Sequence, residues 1–154
     1  MHPATFWVLF TVTGIWLQRF VPGVDFLAPG LVICLQDRRP RLAVWLALAW
    51  LVLQEGMGSM AFGPGVLWYG FLLVAYLAGR WLFEARNLLF MFIIGASMGL
   101  WHVALVQMMG TLQGLEPSMQ RVALESIFQA AVFPAQWAAA SALHERWVPH
   151  EHAI

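Results

Sequence analysis

Apolar residues run along this chain in long blocks separated by short polar breaks. Three blocks, residues 65–83, 88–110 and 122–143, are bounded by charged or turn-forming residues. Each is close to the roughly 20 apolar residues that a helix needs to cross a hydrocarbon core of about 30 Å. Three earlier blocks, residues 3–17, 20–35 and 42–60, are shorter or are broken by Pro22, Asp25, Pro29, Gln54 and Glu55. The pattern predicts an all-α, polytopic membrane helix bundle of about six transmembrane helices. It would form a single transmembrane domain over residues 1–154. Irregular backbone at membrane depth is tolerated where protein or water covers it, so the first three segments are expected to be tilted, kinked or partly re-entrant. The connecting segments are too short for a separate soluble domain, and no internal repeat is visible.

Composition supports this picture. Of 154 residues, 61% are hydrophobic and only 10% are charged, too apolar for an ordinary soluble domain. The charges are eight arginines and eight carboxylates with no lysine, so the net charge is zero and no basic surface for nucleic acid is implied. Cys34 is the only cysteine, which excludes an internal disulfide and a cysteine-based metal cluster. The first block lacks a basic leader and a small-residue cleavage site and reads as a retained span.

With the N-terminus in the cytoplasm, six spans put Arg38, Arg39, Arg41, Arg80, Arg86 and Arg146 inside and only Arg19 and Arg121 outside. Both termini are then cytoplasmic. Trp45, Trp81 and Trp147 fall near the inner headgroups, and Trp16 and Trp68 near the outer ones. The location expected is a bacterial inner membrane.

"GASMGLWH", residues 95–102, contains the G-x-S-x-G string of a nucleophile elbow. That motif needs a strand-to-helix turn, whereas this one lies inside an apolar block. On a helix, Ser97 and His102 stand roughly 140° apart and cannot pair. Gly95 and Gly99 instead form a small-xxx-small face for close helix packing, and His102 shares that face as a helix-to-helix hydrogen-bonding residue. An intramembrane enzyme using Ser97 or His102 is therefore the least favoured class, with no catalytic residue expected.

Other polar groups have structural explanations first. Arg121, Glu125, Gln129 and Gln136 lie on one face of the last block with Phe128, Val132 and Phe133. Arg121 and Glu125 form a local i,i+4 pair. Pro134 removes the donor to the Ala130 carbonyl and is expected to kink the helix. Tyr69, Tyr76 and Arg80 form a similar face, with Arg80 and Glu84 a surface pair. "DRRPR", residues 37–41, reads as a topological anchor with a lipid or partner contact as the alternative. The irregular spacing of His144, His150 and His152 in "HERWVPHEH" argues against a metal site, and neither metal nor cofactor is expected. "LQEGMGSMAFGPG", residues 53–65, is harder to dismiss. There Glu55 ends an apolar helix, and Gly56, Gly58, Gly63 and Gly65 permit a tight turn suited to docking.

Residues 29–83, about a third of the chain by this reading, resemble the MreD family of rod shape-determining membrane proteins. "PGLVICLQDRRPR" corresponds to the family's span that opens on Pro-Asp and ends in a basic turn, with Pro29 matching and Gly30 in place of the aspartate. "LVLQEGMGSMAFGPGVLWYGFLLVAYLAG" is similar to the following segment. Glu55 stands for its usual aspartate, Gly63 lies near the start of the next span, and "AYLAGRWLF" ends that helix. The resemblance implies a non-catalytic membrane scaffold of the cell-wall elongation and cell-shape complex, binding membrane lipid and other integral membrane proteins. Its interface would involve Pro29, Gly30, Glu55, Gly56, Gly63, Arg38, Arg39 and Arg41. The alternative is a small-solute-binding subunit similar to the S component of an energy-coupling transporter. In that case Tyr69, His102, Gln129 and Gln136 would line a cavity on the order of 300 Å³ or more.

Overall fold

The computed structural model describes residues 3–57, 63–84 and 86–148. They form six α-helices with no strand among them: α1 (Pro3–Phe20), α2 (Ala28–Gln36), α3 (Pro40–Met57), α4 (Pro64–Gly79), α5 (Leu88–Gln113) and α6 (Met119–Trp147). By length and composition, α5 is long and apolar enough to cross a membrane, and α4 is a shorter apolar helix. His2, Gly58, His150 and His152 lie outside the described residues.

Contacts fix the helix directions. Thr11 meets Trp50 and Gln18 meets Gln54, so α1 and α3 run in parallel. The carbonyl of Leu67 accepts from Trp101, and Tyr76 packs on Phe90, so α4 and α5 are antiparallel. His102 meets Glu125, and Trp137 donates to Gln36, which makes α6 antiparallel to α5 and parallel to α2. Helices therefore alternate in direction along the chain. At their centre Leu27, Leu31, Trp50, Leu72, Tyr76, Phe90, Met98 and Phe133 are fully enclosed.

The second segment, 20–35, is interrupted as its prolines and Asp25 suggest. It is a turn followed by a helix of only nine residues, about 14 Å long. Pro22 and a positive φ at Gly23 (85°) interrupt the helical path, and Pro29 at the start of α2 is compatible with a new helix there. α4 also stops earlier than predicted, at Gly79. Residues 80–83 continue as short hydrogen-bonded turns, and Arg80 and Glu84 form no ion pair among the described residues. α5 begins on Asn87, whose side chain accepts from the Leu89 N–H, and ends on Gly114 in the left-handed region.

α5 and α6 pack backbone to backbone. A Cβ on Gly95 would lie 2.8 Å from the Ala130 carbonyl oxygen, and one on Gly99 would lie 2.7 Å from that of Ser126. Any larger residue forces the helices apart. Pro134 lies inside an unbroken α6, and the carbonyl it leaves without a helical donor, that of Ala130, is the one facing Gly95. Ser97 donates to the Ile94 carbonyl of its own helix at 2.8 Å, so the G-x-S-x-G string is helical here.

Candidate functional site

The polar residues gather at two ends of the bundle. The first gathering is built on Asp25, in the turn between α1 and α2. Its Oδ1 accepts from the backbone N–H of Leu27 at 2.8 Å and of Ala28 at 3.3 Å, closing the open N-terminus of α2. Gln18 of α1 donates to the same oxygen at 2.8 Å, and the indole N–H of Trp68 in α4 donates to Oδ2 at 2.8 Å. The Asp25 backbone N–H donates in turn to Gln129 Oε1 of α6 at 2.8 Å. The side chain is thus held by four donors, none of them charged, and Asp25 is 8% exposed. Gln54 donates to Gln18 behind it. Tyr69 is buried beside the carboxylate and Gln54.

A second string leads from this centre to the surface. The Trp68 ring meets His102 edge to face at 5.9 Å. His102 Nε2 is 3.3 Å from Glu125 Oε2, and Arg121 Nε donates to Glu125 Oε1 at 2.9 Å. Glu125 lies over Gly23, where a Cβ would come within 2.6 Å of its side chain. The local pair read from the sequence is present, and His102 and Gly23 extend it across three elements. Nearby, Glu55 Oε1 accepts from the N–H groups of Gly63 and Gly65 at 3.0 Å each and so caps the start of α4.

The opposite end is ionic. Arg86 reaches Asp37 Oδ1 at 3.3 Å and Glu145 Oε1 at 3.0 Å, and His144 Nδ1 lies 3.5 Å from Asp37 Oδ2. His144 is enclosed by Phe6 and Trp7, at ring distances of 5.0 and 5.6 Å.

Several expectations change in this setting. Pro29 and Gly30, read as interface candidates, are interior. A Cβ on Gly30 would meet Phe10 and Trp50 at 2.7 Å, so this position has no room for the aspartate of the resembled family. Glu55 and Gly63 are half-buried, while Gly56, Arg38, Arg39 and Arg41 are exposed. Trp68, expected at the headgroups, anchors Asp25. On the α6 face, Gln129 is fully buried, Gln136 is half-buried with both amide atoms unpartnered, and Phe128 points outward at 55% exposure. Ser97 and His102 hold separate partners and are not brought together.

Sequence reasoning missed Asp25 as a centre, although an acidic residue within an apolar block was a signal. It also treated His144 as a tail residue. Its spacing from Phe133, Trp137 and Ala140 continues the buried face of α6 and could have revealed it.

Two clefts open near these groups. One of about 380 Å³ lies between the α1–α2 turn and the start of α6, and one of about 310 Å³ lies beside Asp37, Trp137 and Glu145. Tyr69, His102, Gln129 and Gln136 line neither. No protein-family model, curated protein or solved structure matches the chain.

Proposed function

We propose that this chain is a multi-pass protein of the bacterial inner membrane, with both termini cytoplasmic, that acts as a non-catalytic scaffold of the MreD kind in a cell-wall elongation and cell-shape complex. The observation that carries this reading is the convergence of polar faces of α4, α5 and α6. They meet Asp25 and one another in direct contact, and Tyr69, His102, Gln129 and Gln136 line neither observed cleft, although Arg121 and Glu125 at the start of α6 border one of them. Residues engaged in this way hold a shape for other proteins to recognise. Bilayer insertion is supported by large apolar side chains on the outside, among them Trp16, Trp45, Leu100 and Leu112 at 63%, 73%, 75% and 74% exposure, alongside the apolar α5. Partners would be met by the turn from Glu55 to Gly65 and by Arg38, Arg39 and Arg41, with Pro29 and Gly30 supporting that surface from within.

Co-purification of the tagged protein from its native membrane in mild detergent, with mass spectrometry of retained partners, tests this. Recovery of wall-elongation proteins is the expected result. A second reading, a subunit similar to the S component of an energy-coupling transporter, draws support from the buried amide atoms of Gln129 and Gln136 that have no partner among the described residues. Recovery of transport ATPases and a coupling subunit would favour it and overturn the scaffold.

A further inference from the structure

The cleft of about 380 Å³ at the Asp25 end has an uneven chemistry. Its polar part comes from the beginning of α6, from Ser118, Gln120 and Arg121. Arg121 is well exposed and uses its Nε on Glu125, while among the described residues no contact engages its two terminal nitrogens. Ser118 makes no side-chain cap, and the first helical bond of α6 is that of Val122 to the Ser118 carbonyl, so the N–H groups of residues 119–121 have no helical acceptor. The carboxylate in the wall, Glu125, is already held between Arg121 and His102. What the cleft still offers is therefore donors and a positive charge.

Its remaining wall is apolar. Leu124 and Phe128 continue one and two turns further along α6, and Val21 and Pro22 face them from the α1–α2 turn. From Ser118 to Phe128 the helix advances about 15 Å, half the thickness of a hydrocarbon core. Donors at one end and hydrocarbon at the other match a phosphate carrying acyl chains. A free anion would leave the apolar half empty, and a neutral lipid would leave the guanidinium unmatched.

We propose that this cleft binds an anionic phospholipid, with the phosphate on Arg121 and the start of α6 and an acyl chain along Leu124 and Phe128. The proposal rests on the bilayer reading above. It goes beyond a scaffold by giving α6 a defined lipid ligand next to the Glu125–His102 string.

The test uses the full chain, purified in mild detergent and titrated with phosphatidylglycerol, phosphatidylcholine or inorganic phosphate, with binding followed by native mass spectrometry and thermal unfolding. Phosphatidylglycerol is expected to bind and to raise the unfolding temperature, and phosphatidylcholine and phosphate are expected to do much less. Arg121→Gln should weaken phosphatidylglycerol binding about tenfold, and Arg121→Lys should retain most of it. Unchanged affinity in Arg121→Gln overturns the proposal, as does protection by inorganic phosphate alone or equal binding of phosphatidylcholine. Should Arg121→Gln fail to fold, the double variant Ser118→Ala/Gln120→Ala at exposed positions takes its place, and native affinity there counts against the site. Flotation of the chain with liposomes separates the two levels. A chain that does not float removes the bilayer reading, whereas one that floats without lipid preference removes only the lipid site.

Discussion

The two ends of α2 solve the same problem in opposite ways. Asp25 precedes the helix and Asp37 follows it, and each carboxylate is tied to distant parts of the chain. At the N-terminus the helix supplies N–H groups and the positive end of its dipole, so Asp25 is stabilised by neutral donors and lies buried without a cation. At the C-terminus the dipole opposes a negative charge, and Asp37 is accompanied by Arg86, which reaches the surface, and by the enclosed His144. The Asp25 end is consequently an enclosed network of neutral donors, and the Asp37 end an ionic clasp that solvent reaches through Arg86 and Glu145. Some 20 residues of α6, about 30 Å, separate Glu125 from Glu145 and connect the two.

If this contrast is right, Asp25→Ala has the largest effect of any single change. It strands two backbone N–H groups, the Gln18 amide and the Trp68 indole in a site closed to water, and should cost about 3 kcal/mol or more. Asp25→Asn keeps an acceptor and should cost less. Chemical unfolding in detergent micelles measures both. Asp37→Ala is the matched control, expected to lose less, about 2 kcal/mol, because Arg86 can turn to solvent while the enclosed His144 loses one acceptor. Equal losses at the two aspartates would erase the distinction.

Next in size is the α5–α6 seam that joins the ends. Gly99→Ala places a methyl against the Ser126 carbonyl, one residue from Glu125, and should cost about 2 kcal/mol. Its local effect should fall on the Asp25 end: hydrogen exchange at Leu27 and Ala28 should quicken, while exchange at residues around Asp37 stays as it was. Gly95→Ala, against Ala130, is expected to be similar in magnitude. Unaltered stability in both variants would contradict backbone-to-backbone packing.

Much of the architecture was legible because it depends on local pattern. The apolar blocks mark five of the helices, and Pro22, Asp25 and Pro29 announced that the second segment would not run through. The small-residue pair Gly95 and Gly99 named the closest helix contact. The candidate site was less legible, since it depends on pairings between distant positions. Asp25 and Gln129 are 104 residues apart, and Arg86 and Glu145 are 59 apart, and no periodicity within one helix reports either. Gln129 was recognisable as facing protein, but its partner was not. Pro29 and Gly30 show the converse, since a motif likeness suggested a surface where the fold buries them beneath Phe10 and Trp50.

The ionic end offers a smaller test. Arg86→Ala removes two of the clasp's three links and leaves His144 on Asp37, and Arg86 is 53% exposed and Glu145 52%. Such exposure limits an ion pair to at most about 1 kcal/mol, and salt should reduce it further. The expected outcome is a small loss at low ionic strength that disappears in about 1 M salt, where the Debye length falls to roughly 3 Å. Asp25→Ala, by contrast, should cost nearly the same at both salt concentrations. A salt-independent loss in Arg86→Ala would mean that the Asp37 end is as enclosed as the other.

Ser97→Ala should have the smallest effect, and for a reason rooted in the seam between the two ends. The hydroxyl donates to the Ile94 carbonyl three residues back, an acceptor within the same helix. Removing it strands no distant donor and leaves the glycines on either side in contact with α6. A change of no more than about 0.5 kcal/mol is therefore expected in the same unfolding assay. Retention of wall-elongation partners by Ser97→Ala would agree with the scaffold reading. Loss of a measurable hydrolytic activity with folding intact would instead make Ser97 a nucleophile, despite its position inside α5 and its separation from His102's partner, Glu125.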